Sequence, residues 1–141
     1  MTLQEIIKER ILILDGAMGT MIQQYGLKEE DFRGERFKDV PGLMKGNNDV
    51  LCLTRPDRKY LEAGADLITT CTFSSQRVSM ADYHVADYCR EMNLAGAKIA
   101  RDLADEYTKK APMKPRFVLG DVGPTNKTLS LSPDVNNPAL R

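Results

Sequence analysis

The sequence predicts an α/β fold built on parallel strands, and three observations predict it. Three short apolar runs, residues 11–14 (ILIL), 66–73 (DLITTCTF) and 117–119 (FVL), each pass directly into glycine or small polar residues. Continuous runs of this kind mark strands buried on both faces, whereas half-exposed strands alternate. Between the second and third runs, over residues 85–110, Tyr88, Met92, Ala95, Ile99, Leu103 and Tyr107 recur at steps of three and four among charged residues. That period describes a helix with one buried stripe, and strand, helix and strand in succession form a βαβ unit whose strands must be parallel.

The remaining elements follow in order. Residues 2–10 read as a polar helix and residues 17–25 as a short one. Residues 26–48 read as a long irregular excursion with turn signals at Pro41-Gly42 and Gly46-Asn47-Asn48, and Phe32, Phe37, Leu43 and Met44 as its apolar anchors. Residues 50–53 read as a brief strand or extended segment. Thr54 then offers an N-cap, with Pro56 early in the first turn of a helix running through Leu61 and ending at Gly64. Pro112 and Pro115 end the long helix ahead of the third strand. A closed (β/α)8 barrel takes eight such units and ~250 residues, so these 141 residues form either a small open sheet or a portion of something larger.

Composition narrows the function. Apolar residues make up 42% and charged residues 28%, and 20 Lys and Arg balance 20 Asp and Glu, which argues against nucleic acid or an anionic membrane surface as partner. No apolar run approaches the ~20 residues of a membrane span. The first ten residues carry four charges and no apolar signal core, so a cytoplasmic location is expected. Cys52, Cys71 and Cys89 are odd in number and far apart, which fits reduced thiols and not a disulfide framework or a metal site within this chain.

In parallel α/β folds the reactive groups lie at the carboxyl ends of the strands. The first strand ends in Asp15-Gly16-Ala17-Met18. A carboxylate there takes an ammonium group, and the small residues that open the next helix leave backbone N–H groups for a carboxylate, which together make an amino-acid clamp; the alternative is that Asp15 only caps its turn. The second strand end supplies the hydroxyls of Thr70 and Thr72. Cys71 between them has no cationic neighbour in sequence to activate it and reads as a packing residue, and His84, the one histidine, reads as structural. The third strand end, residues 120–127, combines Gly120, Gly123, Asn126 and Lys127, either as a site of close backbone approach or as a plain turn.

Several stretches carry a family resemblance: ILILDGAMGTMIQ, DFRGERF, KGNNDVLCLTRPD, YLEAGAD, MADYH and GPTNKTLSLSPDVNNPALR. Together they resemble the N-terminal homocysteine-binding domain of cobalamin-dependent methionine synthases. DGAMGT alone suits several groups of homocysteine methyltransferases. KGNND and GPTNKT with SPDV are more similar to the cobalamin-dependent branch than to users of betaine or S-methylmethionine.

The resemblance implies that residues 1–141 are the first three βα units of a (β/α)8 barrel, a partial homocysteine-binding domain inactive by itself. It implies transfer of a methyl group from methylcobalamin, regenerated from 5-methyltetrahydrofolate, to zinc-bound homocysteine. Asp15 would hold the amino group and the backbone of Gly16, Ala17 and Met18 the carboxylate, with Thr70, Thr72 and Gly123 in the pocket. The partners implied are the other part of the barrel and folate- and cobalamin-binding domains. The family's zinc-binding cysteines lie on later strands, and none of Cys52, Cys71 and Cys89 matches them, so no catalytic or metal residue is assigned here. Three departures stand out. The helix after TRPD is about six residues shorter than in the family, or about 9 Å at ~1.5 Å per residue. The second strand end reads Thr69-Thr70-Cys71-Thr72-Phe73, without the family's carboxylate and amide, and Asp121 stands where small or apolar residues are usual. These leave three alternatives open: a non-catalytic α/β remnant or interaction module, a split enzyme completed by a separate partner chain, and a homocysteine methyltransferase using another methyl donor.

Overall fold

The computed structural model describes residues 2–16, 18–55, 65–125, 127, 136 and 137. Helix α1 (Leu3–Glu9) starts at Thr2, whose hydroxyl accepts the Glu5 N–H while the Glu5 carboxylate accepts the Thr2 N–H. This reciprocal cap satisfies two donors that a helix start otherwise leaves unpaired. Helix α2 (Met18–Gln24) buries Ile22, and α3 (Glu29–Arg33) buries Phe32.

The excursion after α3 is organised by two of its side chains. The Glu29 carboxylate accepts the backbone N–H groups of Met44 and Lys45, at 2.9 and 2.7 Å. Arg33 donates to the carbonyls of Phe37, Val40 and Gly42. With its polar backbone satisfied in this way, the segment buries Phe37 and Met44 completely, whereas Leu43, expected as an anchor, is exposed. Residues 50–53 are not extended: a 3-10 turn (Asn48–Val50) runs into helix α4 (Leu51–Thr54). Helical winding sends Val50, Leu51 and Cys52 into one cluster with Phe37, Met80 and Met92, so packing overrides the β-propensity of valine. The helix expected from Pro56 to Gly64 lies outside the described residues.

Strands β1 (Leu67–Thr69) and β2 (Phe117–Leu119) pair in parallel, Ile68 beside Val118. Residues 11–14 join the opposite edge of β1 through a single parallel bridge, Leu14 to Leu67. There the Asp15 N–H donates to Leu67 O at 2.9 Å, and Ile13 O accepts from Asp66 and Leu67. The three runs therefore neighbour one another in chain order. The first run is not buried on both faces as expected, with Ile11 92%, Ile13 60% and Leu14 51% exposed, because no described element covers it. The second strand stops at Thr69 and not at Phe73. Beyond it the hydroxyls of Thr70 and Thr72 bond each other and the backbone of Asp121, an alternative to the strand ladder that threonine side chains offer.

Helix α5 (Arg77–Ala81), absent from the sequence expectation, is capped by Gln76, whose side chain accepts the N–H groups of Val78 and Ser79. A 3-10 turn (Ala86–Tyr88) then leads into α6 (Cys89–Lys110). The line of α6 that is fully buried is Cys89, Met92, Gly96, Ala100 and Ala104. The expected stripe residues Ala95, Ile99, Leu103 and Tyr107 flank it, half-buried. Small residues at the centre let the helix lie close to the sheet, where Ala100 and Ala104 pack on Ile68 with Val118 beside them. A Cβ on Gly96 would stand 2.9 Å from Thr72 Cγ2, so glycine is required there for contact between helix and strand end.

Asp66, immediately before β1, ties all three runs together. Its side chain is 1% exposed and takes a two-pronged ion pair from Arg10, both contacts at 2.8 Å, and the Ile13 N–H at 3.0 Å. Its carbonyl accepts the Phe117 N–H at 2.9 Å. The hydrogen bonds from Arg10 hold its carboxyl well below the usual carboxylate range, outweighing the cost of burial. Breaking a fully buried pair costs ~3–5 kcal/mol, and because Arg10 is partly exposed Asp66→Asn is expected to cost about 2–3 kcal/mol. A group whose pKa is depressed on folding stabilises above its unfolded pKa, so this difference is full above about pH 4 and shrinks as the pH falls further. Denaturant melts of both proteins between pH 2 and 7 check it; a difference that does not vary with pH would contradict the ion-pair origin.

Candidate functional site

The carboxyl ends of the three runs meet on one side of the sheet, and side-chain hydrogen bonds join them. The half-buried Asp15 carboxylate accepts the Thr69 N–H at 3.1 Å and the Thr69 hydroxyl at 3.0 Å. The first strand end is thus fastened to the second, and the second is fastened to the third by a ring of hydroxyls. Thr70 Oγ1 accepts the Asp121 N–H at 2.9 Å and lies 2.6 Å from Thr72 Oγ1, which donates to Asp121 O at 2.8 Å. Gly123 closes the ring with its N–H on Phe73 O at 2.8 Å. A Cβ on Gly123 would stand 2.7 Å from that oxygen and from the Phe73 ring, so this approach admits only glycine.

The expected site residues divide between two hollows. Asp15 lines a narrow apolar crevice of about 40 Å³ against Ile68, Ile99, Ala100 and Leu103 of β1 and α6. Thr70 and Asp121 line a separate open cavity of about 510 Å³ together with Asn48, Asp49, Phe73 and Tyr83. Met18 and Cys71 border both. Gly16 is exposed, and Ala17 lies outside the described residues. Thr70 and Thr72, both buried, serve to join strand ends. His84 is exposed at a turn with φ of 58°.

The sequence reading missed Asp49, the most perturbed group at the cavity. It is 5% exposed, its Oδ2 accepts the Ser74 N–H at 2.7 Å, and the Cys71 thiol lies 3.9 Å from its Oδ1. Burial, with the nearby charge of Asp121 adding to it, pushes its pKa up to about 6 against the bond from Ser74. Its one signal in the sequence was its place at the end of KGNND, beside two asparagines in a turn.

The three cysteines are thiols. Cys52 donates to Asp49 O at 2.8 Å and Met92 O at 3.4 Å, and Cys71 to Asn48 O at 3.3 Å. Burial pushes the Cys89 thiol up, so it is a packing group and not a reactive one. Among the described residues no three His, Cys, Asp or Glu side chains converge as metal donors. The described donors therefore do not fit a zinc ion. No described helix is long and apolar enough to cross a membrane.

The family model described as homocysteine S-methyltransferase matches residues 12–140, from the first strand run through all three strand ends. The chain belongs to the homocysteine S-methyltransferase family. This membership makes homocysteine the substrate that fits the family and methylation its chemistry.

Asp49 yields a pH dependence opposite in sign to that of Asp66. A carboxyl group whose pKa is raised on folding binds its proton more tightly in the folded state, so stability declines as the pH rises from its unfolded pKa to its folded one. Between about pH 4 and 6 the chain is expected to lose up to about 3 kcal/mol from this group, at ~1.4 kcal/mol per pKa unit, and Asp49→Asn is expected to flatten that slope. Urea melts of both proteins across this window measure it; equal slopes would show that Asp49 is not desolvated.

Proposed function

We propose that this chain is the homocysteine-binding portion of a cobalamin-dependent methionine synthase, its three parallel runs being the first βα units of a (β/α)8 barrel. Runs that neighbour one another in chain order agree with barrel winding. The observation that carries the reading is that the two stretches most like the cobalamin-dependent branch, KGNND and GPTNKT, both bond the end of the second run, Asp49 accepting the Ser74 N–H and Gly123 donating to Phe73 O. Asn47, Asn48 and Asp49 of the first border the larger cavity. Gly123 of the second bonds the carbonyl of Phe73, which also borders that cavity.

In this reading the chain's residues bind and orient the amino acid. Asp15, already held by Thr69, keeps lone pairs for the substrate ammonium group, and the backbone N–H groups of Gly16, Ala17 and Met18 would serve its carboxylate. Thr70, Thr72 and Gly123 keep the second and third strand ends in register beside it. The acceptor sulfur needs to lose its proton before it attacks a methyl group, and zinc supplies that chemistry in the family. The described donors do not fit zinc, so thiol activation and the encounter with methylcobalamin, regenerated from 5-methyltetrahydrofolate, belong to parts of the enzyme outside the described residues. The cytoplasm is the compartment this chemistry calls for.

Removing a carboxylate that pairs a partly desolvated ammonium group costs on the order of 2–5 kcal/mol, whereas a solvated rim charge changes affinity far less. Asp15→Asn is therefore expected to weaken L-homocysteine binding more than Asp121→Asn. Calorimetric titration of the two variants compares them. Equal losses, or a larger loss at Asp121, would move the amino-group contact away from the first strand end.

A further inference from the structure

Four hydrogen bonds fasten the loop that follows β1, residues 71–75, at the edge of the larger cavity. Thr72 Oγ1 donates to Asp121 O, Gly123 N–H donates to Phe73 O, and Asn93 Nδ2 donates to Ser75 O at 2.7 Å. These three join neutral groups and do not change with pH. The fourth runs from the Ser74 N–H to Asp49 Oδ2 at 2.7 Å and ends on a carboxyl group that is poorly provided for. Asp49 is 5% exposed. Its Oδ2 takes one N–H, and the described contact of Oδ1 is the Cys71 thiol at 3.9 Å. One full hydrogen bond does not offset the burial of an ionised carboxyl group.

The titratable groups packed around it add no positive charge. Cys71 faces it from the loop, Asp121 from the third strand end adds a like charge, and Cys89 of α6 feels the charge of Asp49 in turn. Cys52 of α4 holds the Asp49 carbonyl, and Asp82 and Tyr83 line the same cavity.

We infer that Asp49 is a proton-controlled latch between the 48–50 turn and the 71–75 loop: protonated, its carboxyl group stays docked beneath Ser74, and ionised, it swings into the cavity it lines and releases the Ser74 N–H. The reason is linkage. The open cavity of about 510 Å³ puts water within a side-chain rotation of the carboxyl group, and the docked position does not. Of two states, the one that holds the proton more tightly loses ground as the pH rises. The bond from Ser74 opposes the swing without outweighing burial. The other three fasteners keep the loop in place, so the opening is local. It sets the charge on the cavity wall, neutral when the latch is docked and negative when it is out. This inference stands on the loop and the cavity and is independent of the homocysteine reading.

Amide exchange of Ser74 in the full chain between pH 4 and 7.5, expressed as protection factors to remove the intrinsic pH dependence of exchange, tests it. Protection is expected to fall up to about a hundredfold as the pH rises, the ratio between an ordinary aspartate and one titrating near 6. Urea below the unfolding transition is expected to leave the Ser74 value unchanged, since a local opening exposes little surface. Leu67, bonded within the sheet, is the reference for global unfolding. Asp49→Asn retains an acceptor for Ser74 and has no proton to lose, so its Ser74 protection is expected to be flat across the range. Asp121→Asn gives a second reading if that variant folds poorly, because removal of the like charge is expected to move the midpoint of the fall to lower pH. Ser74 protection that rises with pH would overturn the latch, as would a urea dependence equal to that of Leu67. So would a fall that persists in Asp49→Asn, or a midpoint unmoved in Asp121→Asn.

Discussion

The carboxylate of Asp66 is the constraint on which the rest of the structure depends. A single residue at the start of β1 reaches the first run through Ile13, the loop after α1 through Arg10, and β2 through the Phe117 N–H. The described sheet has only three-residue strands and one bridge, too little ladder to fix register by itself. A buried, ionised side chain bound on several sides does so instead, since any slip would leave a charge without partners in a desolvated position. Lys114 Nζ and Arg116 Nη1, at 3.7 and 4.0 Å from the same carboxylate, add further positive charge around it.

Once register is set at the amino ends of the strands, the carboxyl ends fall into place. Asp15 reaches the second strand end, the two threonine hydroxyls reach the third, and Gly123 lets the two loops touch. Gly96, Ala100 and Ala104 allow α6 to sit close beneath this layer. The electrostatics then separate along the strands. A carboxylate satisfied by cations lies at one end, and the desolvated carboxylate of Asp49 lines the cavity at the other. The first contributes stability and the second costs it, a division usual where a structure reserves a polar pocket for a ligand.

Much of this was legible in the sequence where one physical signal dominated. The long helix and the third strand stand within a few residues of their expected places, because apolar periodicity over 22 residues and a proline stop admit few alternatives. The strand ends were legible as polar, glycine-bearing edges, but the use of the Thr70 and Thr72 hydroxyls to join them depends on Asp121, about 50 residues away in the chain, and was not. Other features depended on partners far away in the chain. Nothing local distinguishes Asp66 from a surface aspartate until Arg10, 56 residues earlier, is beside it. Asp49 looked like a turn residue until Ser74 and Asp121 closed over it. The 50–53 segment has strand-like composition and winds as a helix because its neighbours leave room for one apolar face. The exposure of residues 11–14 follows from which described elements surround them, and their composition does not carry that information.

The central claim is that the three strand ends form one cooperative unit registered by Asp66. Native-state hydrogen exchange at the amides of Asp15, Leu67, Thr70 and Phe117, which bond across the three runs, tests it most directly. The account predicts one shared free energy of opening for these amides in the wild type, falling together in Asp66→Asn, as in a single cooperative unit. Independent opening energies, or a loss of protection confined to one of the runs, would contradict it.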